Sequence, residues 1–290
     1  MDTTLEQTTP QERIRILESK SIQYRKTILS LIYSAKAGHT GGSLSCVDLL
    51  NVLYNQIMNI STENFSDYNR DHYVHSKGHS VEALYAVLQD LGFFTLDELN
   101  TIEKYNSPFI GHPTRTIPGI EQNTGALGHG LSLAVGMALA AKMDNRNNRV
   151  FTIMGDGELT EGSIWEASAS AANYKLDNLV AIVDRNTLQI SGRTEAVMAM
   201  ESLEEKFTAF GFSVRHVNGN DVRALTALFG TLPFESGKPN LVIAHTIKGK
   251  GISFMEDNVA WHHHVPTNEE YALALKELHS AEMELEKSNG

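Results

Sequence analysis

The chain is 290 residues long and 41% hydrophobic, enough to bury a large core as one α/β domain or two small ones. Its formal net charge is −11 with no Lys/Arg-rich stretch, which repels a phosphate backbone over most of the surface and argues against a nucleic-acid partner, while leaving open an anionic small ligand neutralised locally by a cation and backbone N–H groups. The single cysteine, Cys46, leaves no intramolecular disulfide and no Cys-rich zinc module.

The opening MDTTLEQTTPQERIR is polar and acidic, unlike a secretory signal, and no apolar run reaches the ~18 residues of a membrane span. A cytoplasmic protein that engages no membrane is expected. Residues 11–37 read as a long amphipathic helix, with Ile14, Leu17, Tyr24, Ile28, Leu31 and Ile32 at mixed three, four and seven spacing, stopping at Gly38. GHTGGSLS follows, and Ser45 reads as the N-cap of a second helix over 46–56. DHYVHS is a short strand, SKGHS ends it, and VEALYAVLQDLG is helical. Residues 95–130 are irregular and rich in Gly, Pro, Asn and Thr; so long a loop in a compact domain is usually functional. LSLAVGMALAAKM, 131–143, is an apolar helix dense in Gly and Ala. The runs VFTIM, NLVAIV, FSVRHV and NLVIAH then alternate with helical segments, which predicts a mostly parallel sheet covered by helices on both faces. Thr267 and Glu270 form a capping box for a solvated C-terminal helix. No repeat, low-complexity tract or linker divides the chain, so one domain over 1–290 is expected, with a helical N-terminal segment and a helical tail.

One carboxylate, Asp156, stands between Gly155 and Gly157 where VFTIM should end, and Asn186 closes NLVAIV. The interval between them fits a helix over 162–174 and a return strand, as a parallel crossover requires. Ligands of open parallel sheets bind beyond the carboxyl ends of the strands, so neighbouring strands would let Asp156 and Asn186 reach one ion. A carboxylate, an amide oxygen and a loop carbonyl suit Mg²⁺ or Ca²⁺ rather than zinc. Phosphate oxygens and water would complete the shell, with the glycines allowing close approach and the next helix N-terminus supplying N–H groups. On this reading the cation holds the phosphate and no lysine is needed. Taken alone, GDG reads equally as a tight turn; the pairing with Asn186 favours the ion.

AGHTGGSLS, SKGHS, GHP, TGALGHGLS, GDGELTEG and WHH, in this order over residues 16–264, resemble the N-terminal, thiamine diphosphate-binding subunit of a split transketolase. The resemblance implies a thiamine diphosphate-binding fold in which this chain is the diphosphate-binding domain, and a second, pyrimidine-binding C-terminal subunit completes a heterotetramer. It implies Asp156, Asn186 and the Leu188 carbonyl as metal ligands. It implies cofactor contacts at His79, Gly125, Leu127, Gly155, Asp156, Gly157, Glu158, Asn186 and His262. His39, His112 and His262 match histidines lining the substrate channel, and Glu161 matches a glutamate in a hydrogen-bond relay across the dimer; an acid favoured by the helix N-terminus is its plainer reading. The implied reaction is two-carbon ketol transfer between sugar phosphates, pentose phosphates by default, with a specialised or sulfonated sugar left open. Arg185 stands where the family has Asn or Asp, and His263–His264 replace the glycine that often follows the first histidine of WHH.

Twelve histidines is a high count. His39, His79, His112 and His129 adjoin glycines in loops where side chains converge on ligands. The run His262–His264 cannot share one ion easily, because neighbours in extended chain point to opposite sides. His72, His75, His216, His245 and His279 read as ordinary structural or surface residues. TIKGKG lacks Walker spacing and reads as a loop flanking the cofactor. Three rival readings share parts of the pattern: a 2-oxo acid dehydrogenase α subunit, a deoxyxylulose phosphate synthase fragment, and a non-catalytic thiamine diphosphate-binding module. The histidine-rich loops favour sugar chemistry over the first and argue against the last, while the deoxyxylulose phosphate synthase fragment shares several of those loops and stays open.

Overall fold

The computed structural model describes residues 8–287, so residues 1–7 and 288–290 of the expected 1–290 span lie outside it. Helix α1 (Pro10–Ala35) begins where Thr9 and Glu12 exchange side-chain and backbone hydrogen bonds, with Pro10 at a position whose N–H would go unpaired anyway. Ile14, Leu17, Tyr24, Ile28, Leu31 and Ile32 are all buried, as their spacing predicts.

Helix α2 (Thr40–Val52) differs from expectation: it starts at Thr40 with His39 as N-cap, not at 46 behind Ser45. Gly41 and Gly42 have poor intrinsic helix propensity, so the stretch reads as loop. Packing overrides that preference, for every residue of α2 is buried. A Cβ on Gly41 would meet the Trp261 carbonyl oxygen at 2.7 Å, so only glycine lets the helix approach this closely. Ser45 lies inside the helix, donating to Asp184 Oδ2 at 2.6 Å. A π-helical turn, Leu53–Ile57, extends the element.

Five parallel strands follow: β1 (His72–His75), β2 (Val150–Gly155), β3 (Leu179–Arg185), β4 (Ser213–Asn218) and β5 (Asn240–His245), in spatial order β1-β2-β3-β5-β4. Between them lie α3 (Val81–Asp90), α4 (His129–Met143), α5 (Gly162–Asn173), α6 (Leu203–Ala209) and α7 (Val222–Phe229), and α8 (Asn268–Lys287) closes the chain. Successive strand residues alternate between two cores. Phe151, Ile153, Val180 and Ile182 pack with α1, α2, α3, α7 and α8 on one face. Val150, Met154, Leu179, Ala181 and Val183 pack with α4, α5 and α6 on the other. Burial on both faces explains why β2 and β3 read as uninterrupted apolar runs.

Between α3 and α4 the chain makes one helical turn, Leu96–Leu99, and is otherwise irregular. The Thr267 capping box is present: Glu270 N–H donates to Thr267 Oγ1 at 3.2 Å, and Thr267 N–H to the Glu270 carboxylate at 2.8 Å. Among the described residues no helix is long and apolar enough to cross a membrane.

Candidate cofactor and active site

Strands β2 and β3 pair with Gly155 opposite Asp184, so the chain leaves both at one edge of the sheet. Asp156 follows the end of β2 and Asn186 the end of β3; they are 3% and 6% exposed and share one cavity with Leu188. Asp156 Oδ1 accepts the Gly157 N–H at 2.8 Å, and Oδ2 accepts the Thr187 N–H at 2.6 Å and Arg185 Nη1 at 3.0 Å. Burial, and then the Asp184 charge, pushes the Asp156 carboxyl upward, and Arg185 and Thr187 offset only part. Asn186 Oδ1 accepts the Leu188 N–H at 3.1 Å, and the Leu188 carbonyl accepts Lys248 Nζ at 2.9 Å.

Among the described residues no three His, Cys, Asp or Glu side chains gather as a metal centre. The donor set offered by Asp156, Asn186 and the Leu188 carbonyl is of another kind: all oxygen, one carboxylate, with Asp156 Oδ1, Asn186 Oδ1 and the Leu188 carbonyl oxygen each keeping lone-pair capacity beside one protein hydrogen bond. It fits a hard divalent cation whose remaining positions are filled from outside.

Two lysines missed from the sequence line the same cavity. Lys77, from SKGHS, is ion-paired with Asp184 and donates to the Gly42 carbonyl at 3.1 Å. Burial works against its charge, yet the Asp184 carboxylate more than offsets this and the net shift is upward. Lys248, from TIKGKG, bridges the Leu188 carbonyl and His262 Nδ1, the latter at 2.7 Å; burial and then Lys77 bring it down to about 8. The expected site contained no lysine; the cavity lining adds these two, each already engaged by protein groups. The available signal was a lysine beside glycine in each of two loops at strand carboxyl ends.

His39 sits at the centre of a histidine cluster. Its ring lies 5.2 Å from His79, 6.3 Å from His112, 5.7 Å from His262 and 4.5 Å from His263, centroid to centroid. Its Nδ1 is buried with no hydrogen-bond partner among the described residues, the kind of atom a ligand satisfies. Burial first, and neighbouring imidazoles and lysines second, bring His39 down to about 4; burial and Lys248 bring His262 to about 3, and His79 also falls far below the ordinary range. These imidazoles are neutral at pH 7.

His39, His79, Gly125, Leu127, Gly155, Gly157, Glu158 and His262 line the cavity together with the ion set. Glu158 does so with a carboxylate already engaged by the Gly128 and Gly155 N–H groups and the Ser76 hydroxyl, which ties three loops together. His112 reaches the histidine cluster from the long loop. Glu161 stands apart, exposed at the start of α5 and outside the cavity lining. His129 is exposed, with Nδ1 at 3.1 Å from the Leu127 carbonyl. Of the WHH run, His262 faces the cavity, His263 packs on His39, and His264 turns to Trp261 and Glu270. His75 is a buried core residue between the Tyr73 hydroxyl at 2.6 Å and the Ser80 hydroxyl at 2.9 Å. His245 stacks on His216 at the surface. Arg185 is far from neutral in its effect: beyond Asp156 it holds Thr194, Glu195 and Glu201, fastening the 187–202 segment to the site.

A family model described as "Transketolase, thiamine diphosphate binding domain" matches residues 18–283. The chain is 48% identical over 277 residues to one component of the apulose-4-phosphate transketolase of Phocaeicola vulgatus, covering 96% of this chain and 99% of that one. It is 40% identical to a 6-deoxy-6-sulfo-D-fructose transketolase subunit of a Clostridium species, over 90% of this chain and 96% of the relative. The fold superposes on a solved transketolase from Leishmania mexicana with a TM-score of 0.84 at 28% identity, covering 90% of this chain but only 41% of the larger one.

Proposed function

The chain belongs to the transketolase family, as an N-terminal, thiamine diphosphate-binding subunit of the split kind, and from that premise we propose its complete activity. It transfers a two-carbon ketol unit from a ketose phosphate to an aldose phosphate, using thiamine diphosphate held through Mg²⁺ (or Ca²⁺), in a cytoplasmic heterotetramer with a pyrimidine-binding subunit. The observation that carries this reading is a single cavity uniting Asp156, Asn186 and Leu188 with His39, His79 and His262.

Asp156, Asn186 and the Leu188 carbonyl would hold the cation. Gly157 and His79 would contact the diphosphate, and Lys77 and Lys248, which line the same cavity, would lie beside it. When bound, the cofactor supplies the electron sink for the two-carbon carbanion. The neutral imidazoles of His39 and His262 each offer one nitrogen as donor and one as acceptor to sugar hydroxyls, and His112 reaches the same cluster from the long loop. As general acids or bases they contribute roughly 10²- to 10⁴-fold each. The relatives' names make apulose 4-phosphate the first donor to test, ahead of pentose phosphates and sulfonated ketoses.

Two features support a partner subunit. The cavity is about 270 Å³, at the lower edge of ordinary small-molecule sites, so a larger ligand would extend past its rim toward a second chain. Helix α4 also presents Ser132, Gly136, Ala140 and Met143 to solvent, an apolar face with Met143 75% exposed. The deciding experiment is Asp156→Ala. It should weaken calorimetric binding of thiamine diphosphate in the presence of Mg²⁺ by roughly 100-fold or more, and unchanged affinity would refute the metal assignment. Assaying ketol transfer with and without the partner tests the rest of the reading.

A further inference from the structure

Glu82, in the first turn of α3, is 1% exposed, and among the described residues no Lys, Arg or His side chain is one of its hydrogen-bond partners. Its Oε1 accepts the His39 N–H at 3.3 Å and its Oε2 accepts the Ser43 hydroxyl at 2.8 Å. His39 is the N-cap of α2, and the Ser43 N–H closes the first turn onto the His39 carbonyl at 3.1 Å. One carboxylate therefore grips both ends of that turn.

In a capping box the third helical residue is Glu or Gln and its side chain returns to the N-cap N–H. The third residue of α2 is Gly42, whose carbonyl accepts Lys77 Nζ and whose backbone lines the cofactor cavity. A Cβ there would already lie 3.4 Å from His79 Nε2. A glutamate at that place would project into the site, so the acid comes from a different helix. Gly38 yields the necessary room: its φ is +142°, and a Cβ on it would meet Glu82 Oε1 at 2.5 Å.

We propose that Glu82 is a positioning residue for His39, a capping carboxylate delivered from α3 that fixes the backbone from which the His39 imidazole enters the histidine cluster. Burial pushes the Glu82 carboxyl up to about 7, against the hydrogen bonds that favour its charge, so the group is held there at a cost in desolvation. The inference rests on the reading that His39 acts on substrate, and the test separates the two.

In the complex with the pyrimidine-binding subunit, His39→Ala, Glu82→Ala, Glu82→Gln and the His39→Ala/Glu82→Ala pair are compared for kcat, donor KM and calorimetric thiamine diphosphate affinity. Glu82→Ala should lower kcat by roughly 10-fold or more through misplacement of the imidazole, with cofactor affinity changed less than about 3-fold. Glu82→Gln should restore most of kcat, since its amide still accepts from His39 and donates to Ser43. On the His39→Ala background, Glu82→Ala should cost nothing further. A His39→Ala enzyme of normal kcat and KM would overturn both the role of His39 and this inference. An impaired His39→Ala enzyme beside a fully active Glu82→Ala enzyme, or equal losses from Glu82→Ala in both backgrounds, would overturn the positioning role alone. If Glu82→Ala does not fold, Ser43→Ala removes one of the two anchors. It should give a smaller kcat loss that likewise vanishes without His39, and a loss that persists there overturns the proposal.

Discussion

Arg185 and Asp156 form a buried pair beside the oxygen set proposed for the cation, with side chains 6% and 3% exposed. Removing the arginine leaves Asp156 unpaired in low dielectric, a change that costs about 3–5 kcal/mol for buried pairs. A divalent ion on Asp156 would replace the missing charge. Arg185→Gln should therefore lower Tm in metal-free buffer, and Mg²⁺ should raise the variant's Tm by more than it raises that of the unaltered protein; equal Mg²⁺ shifts would count against the ion site. Glu82 makes a second, independent test at this scale. Its folded value of about 7 lies above the ordinary 4.5, so the folded state holds the proton more tightly. Its stabilising contribution is complete below pH 4.5 and is lost as pH rises through 7. Glu82→Gln cannot ionise. Its unfolding free energy relative to the unaltered protein should grow between pH 4.5 and 7 and level off above, by at most about 3 kcal/mol. Denaturant titrations across that range give the sign directly.

At the level of helices and strands, the proposed assembly predicts that the bare face of α4 is covered by the partner. Gly136→Glu puts a charge on that face, where a Cβ meets open space in the isolated chain. It should leave the subunit's own stability within about 0.5 kcal/mol while weakening co-elution with the partner, and undiminished assembly would place the interface elsewhere. The strands were legible because β2 and β3 are buried on both faces, which demands the β-branched apolar runs the sequence displays. Asp156 and Asn186 were legible because the crossover length ties them to neighbouring strand ends. The start of α2 was not legible. Gly41, Gly42 and Ser43 look like loop until two groups distant in sequence are known: the Trp261 carbonyl, whose close approach requires glycine at 41, and the Glu82 carboxylate, which binds the His39 N–H and the Ser43 hydroxyl. Lys77 and Lys248 were missed for a related reason: a lysine is read as a solvated surface group unless its buried partner, here Asp184 or His262, is known.

Over the whole molecule, acidity and site chemistry are kept separate. The net charge is −11, yet Lys77, Arg185 and Lys248 are buried at the carboxyl edge of the sheet, and the two lysines line the cavity where an anion would sit. Residues from 39 to 262 contribute to that edge, so no shorter stretch of chain owns it. The strand order adds a constraint of another sort. β4 precedes β5 in the chain, but β5 lies between β3 and β4 in the sheet. On a ribosome, the open side of β3 would wait unpaired while β4 emerges first, and only arrival of Asn240–His245 seals it. That waiting edge is the stretch of synthesis at which misjoined strands and self-association compete with folding.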